Sequence, residues 1–440
     1  MLSARNIQNN QIVFEEYRLI SKEDFEREHA RTRISPGDVL LTIVGTIGRS
    51  AVVPASAKHF ALQRSVAVIT PAGVLPKYLM YQFQAPFLQR HFEKNARGTA
   101  QKGVYLKTLG QTPILVAPLG QQELIIAEID KQFSRLDEAV ANLKRVKANL
   151  KRYKASVLKA AVEGKLTEDW RTQHPDVEPA SKLLERILSE RRAKWSGKGK
   201  YKEPEEPNTT GLPPLPRGWA WARVEQLGMT FGGLTKNPKR AKCAKKLPYL
   251  RVANVYANEL LLDEIEYIGV QTSELDKLLL RKGDLLVVEG NGSKGQIGRL
   301  AIWDGSIDPC VHQNHLIKVR LIVDSMNKWI LFWLLSPVGR HFIEEVSSST
   351  SGLYTLSVNK VGDLPIIVPS LAEQGQIIAE VERRLSIIEE LEAVVRANLT
   401  RAERMRQSIL SNVFAGKLVC ANTNQSGERS ADIQMAKSLE

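Results

Sequence analysis

Apolar residues return every seven positions between residues 120 and 162, at Ile129, Leu136, Leu143, Leu150 and Val157. Ile126, Phe133 and Val140 interleave with them, and Val146 and Tyr153 take over further on. Alternating steps of three and four are the seam of a coiled coil, so a long helix is predicted here. The same seam recurs at Val381, Ile388, Val395, Ala402 and Ile409. No proline interrupts either run, and Gly164 and Gly416 stand at matching C-terminal stops. Forty-odd residues at ~1.5 Å each predict rods on the order of 60 Å. Two such helices in one chain are expected to pack against each other; pairing of each with a separate subunit is the alternative.

The two runs are copies. "LGQQELIIAEI" (119–129) is answered by "LAEQGQIIAEV" (371–381), and "VEGKL" (162–166) by "FAGKL" (414–418), at an offset of 252. Ahead of each run the period changes to short β-branched and aliphatic stretches broken by Gly and Pro, which predict strands and tight turns. These are "RISPGDVLLTIVGTIGRSAVV" (33–53) and "LLLRKGDLLVVEGNGSKGQIGRLAIW" (278–303), and they also match each other. Gly37-Asp38 answers Gly283-Asp284, Ile47-Gly48-Arg49 answers Ile297-Gly298-Arg299, and Asn6 answers Asn254. "PKYLMYQFQAPFLQRHF" (76–92) and "NKWILFWLLSPVGRHFI" (327–343) each read as an amphipathic helix. A shared scaffold with divergent loops suits two recognition modules with different targets.

The expected organisation is therefore a sheet-rich domain over 1–118, a long helix over 119–166 and a charged linker over 167–211. A second sheet-rich domain over 212–370, a second long helix over 371–420 and a polar tail over 421–440 follow. Within the linker "PASKLLERILSERRAKW" has the pattern of a short helix. The fold class is α+β with an internal repeat.

A chain of 440 residues suits two or three domains, and 43% hydrophobic residues is enough for real cores. The net charge of +14 favours a polyanionic partner, nucleic acid before membrane surface. Cys243, Cys310 and Cys420 are odd in number and far apart, which excludes a disulfide framework and a CxxC zinc site. No stretch approaches the ~20 apolar residues of a membrane span, and "MLSARNIQNN" has no signal-peptide core. A cytoplasmic protein with no membrane partner is expected.

"LPRGWAWARVEQLG", "YLRVANV", "KGDLLVVEGNGSKGQIGR", "LPIIVPSLAEQGQIIAEVERRL" and "ILSNVFAGKLV", in this order and duplicated around a rod helix, resemble the specificity subunit of type I restriction–modification systems. The likeness covers nearly the whole chain. It implies two target recognition domains, each reading half of a bipartite double-stranded DNA site. The two long helices would form an antiparallel rod that separates the domains and docks two methyltransferase subunits, giving a pseudo-two-fold repeat. It implies no cofactor in this chain: S-adenosylmethionine comes with the methyltransferase subunits, ATP and magnesium with two restriction subunits. It also implies no catalysis by this chain. A type IIB or fused system would have different catalytic subunits. A basic coiled-coil adaptor is a different class, but it would need only the rods. If Leu2 answers Leu250, the first domain has no counterpart of residues 212–249. A late start, a truncated domain or completion by another segment would each explain this, and residues 422–440 are too short and polar to be the missing piece.

Candidate chemistry is confined to binding. "EGNGSKGQIG" (289–298) lacks the order of a P-loop; it reads either as a turn presenting Asn291, Ser293 and Lys294 to phosphate or base, or as a bare hairpin. "HQNH" (312–315) has no third metal ligand, and its first-copy counterpart "LQRS" (62–65) keeps only the glutamine. Gln313 and His315 are candidates for DNA contact or are core and surface filler. "KNPKRAKCAKK" (236–246) carries six cations, among them Lys236, Lys239, Arg240 and Lys242, suited to phosphate attraction or to a plain solvated loop. Arg5, Asn6, Arg49, Arg64 and Arg97 are the first-domain candidates and Arg299 joins the second-domain set, because Arg and Asn are shaped for bidentate contact with base edges. "EGK" (163–165) has the twin "AGK" (415–417) without the acid, so it reads as a helix cap. No catalytic or metal-binding constellation emerges.

Overall fold

A computed structural model of the chain describes residues 1–57, 59–98, 101–195, 199–350 and 352–417. Cys420, the 421–440 tail and the last residue of "FAGKL" lie outside the described residues. The chain forms two compact units: Met1–Lys147 with the described chain from Ala393 onward, and Ala148–Glu392.

In the first unit, strand Val39–Thr42 lies between Ser50–Val52 and Val66–Ile69, antiparallel to both. Successive strand side chains point to opposite faces. Val39 and Leu41 therefore join one core with the helices Pro76–Gln84 and Pro86–Asn95, while Leu40 joins another with Ile7, Phe60 and Leu62. The helix pair is separated by Ala85, held extended at ψ 145° before Pro86. Gly37 (φ +89°) turns the chain into the central strand. The buried Asp38 then accepts the Ser35 N–H and the Thr70 hydroxyl, both at 2.7 Å.

The second unit repeats this frame. Strand Leu285–Val288 is central in an antiparallel sheet ordered Leu300–Ile302, Leu285–Val288, Leu316–Leu321, Gly228–Phe231. The helix pair is Asn327–Leu335 and Pro337–Val346. Trp329 and Trp333 donate their indole N–H groups to the Ile367 and Pro365 carbonyls (2.7 and 2.9 Å), tying this pair to the two-stranded ribbon of Pro365–Val368 and Ala220–Arg223. A further small sheet sets Lys246–Leu250 between Glu266–Gly269 (antiparallel) and Val311–His312 (parallel).

The long helices span Leu119–Val162 and Leu371–Phe414, 44 residues each. In the first unit Ile125, Ile129 and Phe133 share a core with Leu410 and Val413, and Arg406 pairs with Asp137 while lying 4.6 Å over the Phe133 ring. Low numbers of one helix thus meet high numbers of the other, an antiparallel pairing within this unit. Of the seam positions here, Ile129, Leu136, Val395 and Ala402 are buried and Leu143 and Ile409 are partly so. In the second unit Leu150, Val157, Val381 and Ile388 are buried. Val146 and Tyr153 do not belong to the seam; they are 44% and 48% exposed. The buried stripe Ile125, Ile129, Phe133, Leu136 advances by four, four and three residues. That follows a straight α-helix, which drifts away from a strict seven-residue repeat.

The expected linker holds the short helix that its pattern predicts. Helix Ala180–Ala193 buries Ala180, Leu183 and Ile187, one face at helical spacing. Before it, Thr167 and Arg171 reach the buried carboxylate of Glu373 at 2.7 and 2.9 Å, and the Trp219 indole N–H reaches its other oxygen at 2.7 Å. Gly164 (φ +71°) makes the approach possible. A Cβ there would lie 2.6 Å from Arg171 Nη2 and 2.9 Å from Pro216 Cγ.

Candidate nucleic-acid interface

The first domain sorts its five candidates into two kinds. Asn6 is buried and fully used: Oδ1 accepts the Ser3 N–H (2.8 Å), and Nδ2 donates to the Val13 and Glu16 carbonyls (2.9 and 2.7 Å). Asn254 makes the same three bonds, to Arg251, Leu261 and Glu264. Asn6 therefore closes a loop, and its reading as a base contact is withdrawn. Arg5, Arg49, Arg64 and Arg97 are exposed. Arg5 and Arg64 adjoin the two residues of the Ala4 N–H to Ser65 hydroxyl bond (3.2 Å), so the fold brings them together. Arg97 exchanges backbone bonds with Gly103, which bridges Val44 at the start of the loop that ends on Arg49. Arg49 lines a polar cleft of about 930 Å³ with Gln8, Asn9, Asn10, Gln84 and Gln89.

In the second domain the basic run is partly neutralised. Asn237 caps the turn Pro238–Lys242 and swings Arg240 inward, where its guanidinium makes a two-pronged pair with Glu274 (3.0 Å each) and bonds the Thr235 and Gly269 carbonyls. That pairing holds Arg240 above the ordinary guanidinium pKa and Glu274 below the usual carboxylate range. Lys236 pairs with Glu266 (2.9 Å), which also takes Arg251 (2.8 Å). Lys239 and Lys242 remain exposed. Arg240 is thus a structural ion pair, a correction to its reading as a phosphate contact.

Arg299 is likewise structural, with Nη2 on the Val252 carbonyl (2.9 Å) and its guanidinium 4.4 Å over the Tyr256 ring. Gln313 is half-buried and accepts the Val252 N–H at 3.3 Å. His315 is exposed beside Glu289 (3.2 Å). Asn291 belongs to a short strand paired with Tyr354, and its Oδ1 holds the Ser293 N–H at 2.9 Å, leaving Ser293 and Lys294 on an exposed turn.

Sequence reading weighed His312 only as a metal ligand and missed that it is buried with Lys318. Lys318 donates to the Lys277 and Leu279 carbonyls (2.5 and 3.1 Å) and lies 4.7 Å from the Phe231 ring centroid. Burial lowers its pKa to about 7. His312 Nδ1 lies 3.0 Å from the Leu316 carbonyl, and its Nε2 is buried without a partner among the described residues. Burial first, then the Lys318 charge, pushes His312 down to about 4. The sign follows. The unfolded histidine takes its proton near pH 6.5 and the folded one near 4, so this contribution is complete above 6.5 and is lost as pH falls towards 4, by about 3 kcal/mol. Lys318 titrates above that window. His312→Leu, the residue at first-copy position 62, is expected to flatten the loss of urea stability between pH 7 and pH 4.5. An unchanged slope would assign the acid sensitivity elsewhere.

Among the described residues, no group of three or more His, Cys, Asp or Glu could hold a metal ion, and no helix is long and apolar enough to cross a membrane. Residues 2–152 match the family model described as the type I restriction modification DNA specificity domain. Over 432 residues the chain is 26% identical to the type I restriction enzyme EcoKI specificity subunit of Escherichia coli strain K12, covering 95% of this chain and 82% of that one. The chain thus carries the family's DNA specificity domain over residues 2–152 and resembles type I specificity subunits over most of its length. Its likeness extends to the StySPI specificity subunit of Salmonella potsdam, 22% identical over 426 residues, with 95% and 82% covered. A chain solved in work on complex assembly and conformational transition of the type I R-M system shares the fold, at TM-score 0.57 and 18% identity over 88% of this chain and 83% of that one. Specificity subunits are non-catalytic components of their complexes and do not themselves bind cofactors; the family implies DNA sequence recognition and methyltransferase and restriction subunits as partners.

Proposed function

We propose that each sheet-rich domain reads one half of a bipartite DNA site, and that the two long helices set the distance between the halves and dock two methyltransferase subunits. The duplication carries this reading. One frame occurs twice, with Asn6 and Asn254, and Asp38 and Asp284, in the same backbone bonds (the Ser35 and Arg281 N–H groups each 2.7 Å from the aspartate). Phosphate attraction falls to Lys239 and Lys242 in the second domain, and Ser293, Lys294, Asn291, Gln313 and His315 offer base or phosphate contacts there. Arg5, Arg64, Arg49 and Arg97 serve the first. The methyltransferase subunits supply S-adenosylmethionine, and two restriction subunits joining through the complex supply ATP and magnesium.

Native mass spectrometry with a cognate methyltransferase subunit in excess is expected to show two methyltransferases per chain. A complex that stops at one to one would overturn the two-fold docking.

A further inference from the structure

The long helices are copies in their seam but not in their charge. Residues 139–162 of the first carry seven lysines and arginines and no acid, half of the chain's net charge of +14. The repeat counterparts, 391–414, carry four cations and two acids. Position by position, Arg145, Lys147 and Lys151 are answered by Ala397, Leu399 and Glu403. Both stretches are uninterrupted helix.

Elsewhere along these runs a cation takes an acid three or four residues away. Lys131 takes Glu128, Lys159 takes Glu163, and Arg383 and Arg384 share Glu380. Lys144, Arg145, Lys147, Lys151 and Arg152 are exposed, and none makes an ion pair among the described residues. Arg145 bonds the Asn142 side chain, a neutral partner. Steps of three and four bring Lys144, Lys147 and Lys151 together, and like charges at that spacing repel along a helix. A concentration of unpaired charge of one sign fits a polyanion from outside.

The cations are also in rows. Seven residues are nearly two turns, so Lys144 stands over Lys151 and Arg145 over Arg152, each step about 10 Å. Arg145 and Arg152 follow the seam positions Leu143 and Leu150 by two residues, about 200° of turn, so their row faces away from the seam. A 10 Å step matches about three base pairs of duplex at ~3.4 Å each.

The asymmetry selects the polyanion. Methyltransferase and restriction subunits come in pairs under the function proposed above and would meet equivalent surfaces on both helices, whereas the DNA duplex is present once. We propose that the Lys144–Arg152 stripe binds the sugar–phosphate backbone of duplex DNA without reading bases, in addition to the contacts of the two sheet-rich domains. The choice of DNA over an acidic protein surface rests on that reading.

The test uses the full chain with its methyltransferase subunits and a labelled duplex of random sequence, followed by fluorescence anisotropy across a salt series. Replacing Lys144, Arg145, Lys151 and Arg152 together by alanine is expected to lower the slope of log affinity against log salt by about three to four, at ~0.9 per phosphate released. Either row alone (Lys144→Ala with Lys151→Ala, or Arg145→Ala with Arg152→Ala) should give about half of that. Alanine is the best helix former, so the helix is kept, and far-ultraviolet circular dichroism checks it. Arg396→Ala with Arg404→Ala, the counterparts of Lys144 and Arg152, should leave the slope nearly unchanged. A slope that survives the four substitutions, or that falls as far for the Arg396 and Arg404 pair as for one row, overturns the proposal. So does loss of methyltransferase from the complex in native mass spectrometry with the slope kept, which would assign the stripe to an acidic protein surface. A slope that falls as expected in a chain whose methylated sites prove not to be bipartite would keep this surface and fail the bipartite reading alone.

Discussion

Replacing Glu373 by alanine is expected to lower the stability of the second unit by about 3–5 kcal/mol, the cost of removing one partner from a buried, hydrogen-bonded charge pair. The carboxylate side chain is 3% exposed, and three donors converge on it: the Thr167 hydroxyl, the Arg171 guanidinium and the Trp219 indole. These come from the turn after the first long helix, the short helix following it and the entry to the second domain, while Glu373 itself opens the second long helix. Its loss strands the Arg171 charge (18% exposed) and an indole N–H together. Glu373→Gln keeps the shape and an acceptor but not the charge, so it should fall between the wild type and alanine. Urea unfolding followed by tryptophan emission reads the site directly, since Trp219 also meets Trp329 edge-on at 5.8 Å. A loss below about 1 kcal/mol would mean that packing alone holds this junction.

That junction was invisible in the sequence, for a physical reason. Glu373 opens a heptad run and looks like any helix-first-turn acid, while its partners lie 154–206 residues away. The long helices, by contrast, were legible because their signal is local and repeated over forty residues. The duplicated frame was legible because two copies of a turn such as Gly37-Asp38 and Gly283-Asp284 report the same backbone requirement. Base contacts were the least legible. An asparagine able to read adenine is the same side chain that closes a loop, and only the fold shows Asn6 turned inward. The cations at Lys236 and Arg240 form a dense basic patch on paper. They are neutralised by Glu266 and Glu274, 30 and 34 residues further on, at no spacing that a sequence pattern marks. The burial of Lys318 and His312 was not legible because a basic residue in a strand is ordinarily assigned to the exposed face.

Removing one heptad from each long helix is expected to shorten the DNA spacer without altering either half-site, if those helices are the ruler of the proposed bipartite reader. Seven residues at ~1.5 Å are about 10 Å of helix, and one base pair occupies ~3.4 Å of duplex. The spacer should therefore lose at most about three base pairs, less if docking angle or DNA bending absorbs part of the change. Deleting Val140–Val146 together with its repeat counterpart Glu392–Asn398 preserves the phase of both seams. Seven residues are close to two whole turns, so the flanking segments keep nearly their original rotation. Deleting two residues at the same places rotates the helix by about 200°, turns the buried stripe away from its partner and should cost assembly outright. The two deletions separate length from phase, and mapping methylated sites in cells that carry each variant with its partner subunits reads both. An active heptad-deleted variant that still methylates at the original spacing would show that the helices hold subunits without measuring DNA.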